Sequence, residues 1–176
     1  QNRRPLYDVR PQESGDVLDG VADLVEQSLV YPSTRSSGEP RFRMYDAVRA
    51  YARERLDVSD AIATGDRLIA RMARVVGELD VGFRSAEHDR WRSEFRLVWP
   101  DIKAAFELAV AREQAAHATH LSRAWVGMWM DGRVREIQPL MQAAMDLVDR
   151  LEPPEQGDML LAGVGLRFNM GDYQAA

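Results

Sequence analysis

Cysteine is absent from the 176 residues, which removes disulfide frameworks, thiolate zinc sites and cysteine nucleophiles together. No Gly-x-Ser-x-Gly elbow stands in for the missing thiol, so nucleophilic catalysis has no visible carrier and a non-enzymatic chain is expected. No apolar run approaches the roughly 20 residues that a membrane helix needs. The opening Gln1-Asn2-Arg3-Arg4-Pro5 also lacks the apolar centre of a signal peptide, and a cytoplasmic location is the expectation. Lysine is nearly missing as well, with Lys103 the single one among 23 basic residues. What remains is 45% hydrophobic and 29% charged with 12 Gly and 8 Pro, enough apolar surface for a globular core and too little glycine for a repetitive fibre.

The net charge is −5, with 9 Arg against 10 acids up to Asp57 and 13 Arg plus Lys103 against 18 acids beyond it. Neither part is a basic body, whereas nucleic-acid binders draw their nonspecific affinity from concentrated positive charge.

Pro5, Pro11 and Gly15 punctuate residues 1–16, which read as an irregular tail. Asp16 then stands as an N-cap before Val17, Leu18, Val21, Leu24, Val25 and Leu29, whose three- and four-residue steps predict a helix ending near Ser28. Leu29-Val30-Tyr31-Pro32 and Arg41-Phe42-Arg43-Met44-Tyr45 flank a polar, turn-rich loop and predict a β-hairpin. Asp46 occupies the cap position for a second helix carrying Val48, Tyr51, Ala52 and Leu56 on one stripe.

Beyond Ser59 only helical periods occur. Ile62, Ile69, Met72, Ala73, Val76 and Leu79 share a face that Gly82 is expected to end, and Trp91, Phe95 and Val98 form the next. Pro100 is expected to open a further helix with Ile102, Ala105, Phe106, Ala109 and Val110. Leu121, Ala124, Trp125 and Met128 lead to Asp131-Gly132, and Val134, Ile137, Leu140, Met141, Ala144, Leu147, Val148 and Leu151 lead to Pro153-Pro154. Pro139 inside that stripe predicts a kink or a helix start later than Val134. Leu160, Leu161, Val164 and Phe168 make a last stripe before Gly171. Gly132 and Gly171, each between two stripes and 39 residues apart, carry the period of a repeated helical hairpin, and a chain stopping at Ala176 cuts such a repeat short.

Three groups of residues are candidates for binding. Glu113, His117 and His120, at steps of four and three, would align a carboxylate and two imidazoles on one continuous helix. They lack the His-Glu-x-x-His order, and the helix is expected to break between Arg112 and Ala116, so no metal site is expected and the imidazoles read as solvated. Trp125 and Trp129 lie one turn apart, a spacing that lets one pack in the core while its neighbour reaches the concave surface where repeats hold partners; core packing is the commoner use of such residues, and Arg133 beyond the turn is a third candidate. Arg41, Arg43 and Arg49, followed by Arg53 and Arg55, are the one basic concentration; as a phosphate-contacting wing they are diluted by Asp46, Glu54 and Asp57.

The run Val17-Leu18-Asp19-Gly20-Val21-Ala22-Asp23-Leu24-Val25-Glu26-Gln27-Ser28-Leu29-Val30, with Arg41-Phe42-Arg43-Met44-Tyr45-Asp46-Ala47-Val48-Arg49 through Leu56, resembles a known segment. It is the winged helix closing the nucleotide-binding module of bacterial signal-transduction ATPases (NB-ARC or STAND), most of all in actinobacterial transcriptional regulators of the LuxR or AfsR-like kind. Glu87-His88, Trp91, Glu94 and Ile102-Lys103-Ala104-Ala105-Phe106 resemble the helical linker of those proteins, and Gly171-Asp172-Tyr173-Gln174-Ala175-Ala176 resembles a tetratricopeptide-repeat turn. The resemblance implies a mainly α chain: a tail over 1–16, the C-terminal part of a winged helix over 17–57, a linker over 58–113, and a truncated tetratricopeptide-like α-solenoid of antiparallel hairpins over 114–176. It implies a regulatory region whose repeats take a protein partner or signal molecule and whose winged helix docks on an upstream nucleotide-binding module. ATP or ADP would be held by that module, and no cofactor by this chain, because the phosphate-binding glycine loop and the Mg²⁺-binding acid are missing. In the family a Met-His-Asp triplet lets His touch the nucleotide phosphate. Met44-Tyr45-Asp46 matches it with a neutral phenol in place of the imidazole, and the plain alternative is a core Met, a half-buried Tyr and a capping Asp. A free-standing repeat scaffold, the same region of a nucleotide-cyclase-linked regulator, and a DNA-binding wing are the alternative functions.

Overall fold

The computed structural model describes residues 14–34, 40–169 and 171, which fall into two compact units, residues 1–61 and 62–176. The expectations for residues 1–13, for the loop over 35–39 and for Asp172 to Ala176 lie outside the described residues.

In the first unit α1 (Ser14–Glu26) leads to β1 (Val30–Thr34), which pairs antiparallel with β2 (Pro40–Met44), and α2 (Asp46–Arg55) follows. The helix already includes Ser14, so Asp16 falls within α1 and not at its N-cap. Ser28 ends α1 with a φ of 58°, and the Leu29 amide reaches back to the Leu24 carbonyl at 3.0 Å, the long bond of a Schellman motif. Pro32 is tolerated opposite Phe42 because a two-stranded ribbon consists of edges. The predicted stripes are real but mostly unburied. Val17, Leu18, Tyr51 and Leu56 are exposed, and Val30 is the buried hydrophobic side chain among the described residues of this unit.

The second unit, whose first helix already begins at Val58, is helical throughout its described residues: α3 (Val58–Phe83), α4 (His88–Ala111), α5 (Ala115–Ser122), α6 (Trp125–Met130), a 3-10 turn at Val134–Glu136, α7 (Gln138–Met145), another at Val148–Arg150, and α8 (Pro153–Asn169). Its core gathers Ile69, Phe95, Phe106, Leu121, Met128 and Ile137, all fully buried. Complete burial of one such side chain is worth about 1.5–3 kcal/mol.

α3 and α4 run as an antiparallel hairpin whose two ends meet at glycines, Gly65 facing Leu108 and Arg112, Gly82 facing the Trp91 ring. Gly82 stands one residue before the end of α3, at the stop expected from sequence, and it is buried because an indole fills the place of its side chain. Ile62, expected in the core, is exposed in the first turns. Pro100, by contrast, does not open a helix. It sits on the exposed flank of one continuous α4, and the apolar period from Phe95 through Ile102 to Ala109 outweighs the backbone bond that proline removes.

The expected break near Arg112 is present. Glu113 takes a left-handed φ of 55° and the Gln114 amide bonds the Ala109 carbonyl at 2.9 Å. Gly132 repeats the motif with φ 69° and an Arg133 amide on Met128 at 2.8 Å, and Gly171, at φ 79°, bonds Phe168 at 3.1 Å. Both predicted turn glycines thus hold the conformation that a Cβ disfavours. The stripe from Leu121 to Met128 is divided between α5 and α6 by a turn at Arg123 and Ala124, and Pro139 falls in the first turn of α7 as its position suggested.

The last stripe is corrected. Met159, Ala162, Gly163 and Leu166 are the buried face of α8, whereas Leu160, Leu161, Val164 and Phe168 are exposed. The small residues Ala162 and Gly163 let α8 lie close to α7, with Gly163 against the Met145 sulfur, and that proximity overrides the bulkier apolar set.

Candidate interaction surfaces

The wing carries its functional candidates on β2 and the start of α2. Met44 is half-buried opposite Val30. Tyr45 is 54% exposed and its ring lies 4.8 Å from that of Tyr31, so it is more open than the half-buried core role would require. Tyr45, in extended backbone, takes the N-cap position of α2 and makes no side-chain cap bond, and this displaces Asp46 from the predicted cap into the first helical turn. There Asp46 accepts from Arg49 Nη1 at 3.4 Å, while Arg49 Nη2 donates to the Met44 carbonyl at 3.3 Å. The arginine thus ties the triplet together locally. Arg55 lies over the Tyr51 ring at 5.0 Å and Arg43 is exposed on the strand, while the Arg41 side chain is outside the described residues.

Glu113, His117 and His120 are not brought together. The left-handed turn carries Glu113 away, and its carboxylate takes a hydrogen bond from Arg150 Nη1 that holds it below the ordinary carboxylate range. His120 Nδ1 lies 2.9 Å from the Ala116 carbonyl, which makes that nitrogen the protonated one. Both imidazoles border an open groove of about 400 Å³ with Ala73, Arg74 and Gly77. No group of three His, Asp or Glu suited to a metal occurs among the described residues.

The two tryptophans differ in burial. Trp125 is half-buried against Gly165 of α8, and Trp129 is 51% exposed. Arg133 forms a two-point pair with Glu136, at 2.7 Å from both Nε and Nη2, which raises the guanidinium pKa and lowers that of the acid.

Sequence reading missed the polar centre beside them. Asp131, whose side chain is only 4% exposed, accepts at Oδ1 from Arg92 Nε at 3.3 Å and from Arg96 Nε, and its Oδ2 lies 3.8 Å from Arg133 Nη1. Arg92 and Arg96 stand one turn apart on α4, a spacing that was legible; their meeting with an acid 35 to 39 residues away was not. A second network, Arg112 and Gln114 on Asp66 at 2.8 and 3.0 Å, ties the start of α3 to the end of α4. The Gln114 bond, then Arg112, holds the Asp66 pKa down against desolvation.

Residues 6–57 match the family model of a winged helix-turn-helix domain. The match begins eleven residues before the segment whose sequence resembles a winged helix. It spans less than a third of the chain and leaves the helical hairpins outside the family. Neither a curated protein nor a solved structure matches the chain. No described helix is long and apolar enough to cross a membrane.

Proposed function

We propose that the chain is a non-catalytic, cytoplasmic regulatory and protein-interaction region of a bacterial transcriptional regulator of the signal-transduction ATPase kind. Its winged helix docks on an upstream module that holds ATP or ADP, and its helical hairpins receive a protein partner or signal molecule that biases the docking. Coupling of this sort needs two sites and an interface with two arrangements. The observation that carries the reading is the succession of a winged helix-turn-helix segment and a wholly helical body that keeps Trp129 and four apolar side chains of α8 at its surface. The coding sequence preceding Gln1 tests it: a glycine-rich phosphate loop followed by a Mg²⁺-binding acid is expected there, and an open reading frame without them overturns the proposal.

A DNA-binding wing is the second reading, favoured by the winged helix-turn-helix match and by the exposed Arg43. Retardation of duplex DNA that fades steeply with added salt, and that weakens on Arg43→Ala, would establish it. Duplex that migrates unchanged at low salt would remove it.

A further inference from the structure

We infer that Arg92 and Arg96, pinned by Asp131, form a binding site for a phosphate group, an inference that goes beyond the regulatory reading and stands without it. Three guanidiniums, those of Arg92, Arg96 and Arg133, converge on two carboxylates, Asp131 and Glu136, and Glu136 is taken up by Arg133. One positive charge is left over, and Arg92 and Arg96 share a single carboxylate oxygen.

Both arginines spend only Nε on that oxygen. The Nη1 and Nη2 edge of each has no partner among the described residues, and the side chains are 37% and 50% exposed. A guanidinium edge carries parallel N–H donors spaced to match two oxygens of one anion. Two such edges, one helical turn apart, match the three oxygens and up to two negative charges that a tetrahedral phosphate presents.

The buried acid supplies the preorganisation. Free arginines lose considerable rotamer freedom when they close on a ligand, and here Asp131 has already fixed both side chains by their inner nitrogens. Asp131 is itself held in place by the turn, where its amide bonds the Gly127 carbonyl at 3.0 Å and the Gly132 amide bonds that of Trp129 at 3.0 Å. The fork is therefore built on the junction of α4 with the end of α6, two elements of the same unit.

Titration of the whole chain with inorganic phosphate, at constant low ionic strength set with sodium chloride, tests this through the Nε–Hε resonances of arginine and through Tm. Saturable shifts are expected at Arg92 and Arg96, together with a rise in Tm. No such shift is expected at Arg123, which pairs with Asp158 through Nη2. Arg92→Lys and Arg96→Lys keep a cation for Asp131 but lose the second donor edge, so each should fold normally and weaken phosphate by about tenfold or more. A peptide bearing phosphoserine distinguishes the sources of the group. Tighter binding than inorganic phosphate assigns a phosphorylated side chain, and weaker binding assigns a free phosphate. Linear, non-saturating shifts spread over all arginines overturn the site, and so does unchanged affinity in both lysine variants.

Discussion

Glycines in this chain act in two opposite ways, and one pair of substitutions separates them. Gly77 lies on α3 with open space where a Cβ would go, whereas a Cβ at Gly82 would overlap the buried face of Trp91. Gly77→Ala should raise stability by about 0.5–1 kcal/mol through the restricted unfolded chain. Gly82→Ala gains the same term and loses it to overpacking, for a net cost of about 1–3 kcal/mol. Urea denaturation of the two variants checks both signs. Acid sensitivity is also set by single residues. Asp66, Glu113 and Glu136 all have carboxyl pKa values lowered on folding, chiefly by the hydrogen bonds from Gln114, Arg150 and Arg133 respectively. The unfolded state then binds protons first, so their contribution is complete above about pH 4.5 and disappears as the pH falls through the folded-state values. Since these groups are open to solvent, the effect should be small and fade with salt. Urea midpoints measured from pH 6 to pH 3 should fall on the acid side, and Glu113→Gln should flatten part of the slope.

Helices were legible as elements, and their ends and faces were less so. Periodicity located α3 and the β-hairpin, and it found the apolar faces of α4 and α7 while dividing the first in two and running the second into the neighbouring 3-10 turns. Pro100 misled because a breaker residue is judged locally, while the continuation of α4 is decided by the buried period from Phe95 to Ala109 that runs through it. The stripe of α8 misled for a related reason. Hydrophobic bulk marks candidates for burial, yet the close approach of α7 selects the smaller Ala162 and Gly163 beside Met159 and Leu166. Chemical denaturation distinguishes the faces: Leu166→Ala should cost about 2–5 kcal/mol and Leu161→Gln less than about 0.5 kcal/mol. The reverse order would return the bulky stripe to the core. The wing triplet Met44-Tyr45-Asp46 and the tryptophan pair were visible as short-range spacing, whereas the Asp131 centre depends on a tertiary meeting of α4 with the turn after α6.

The two units differ in how much they bury. Val30 is the buried hydrophobic residue among those described in the first, and the core of the second runs from Ile69 to Leu166. Local opening is easiest where few apolar contacts close over the backbone. Native-state hydrogen exchange should therefore find the amides of α2 far less protected than those of α4 and α5, and equal protection would mean that the wing draws stability from a source other than its own core. Three glycines, Gly82, Gly127 and Gly165, each press on an indole or phenyl ring, those of Trp91, Phe95 and Trp125. Descent with modification must treat each as a unit: a homologue that acquires a methyl at position 127 is expected to have trimmed the ring at 95, and an ancestor's choice at one constrains its descendants at the other.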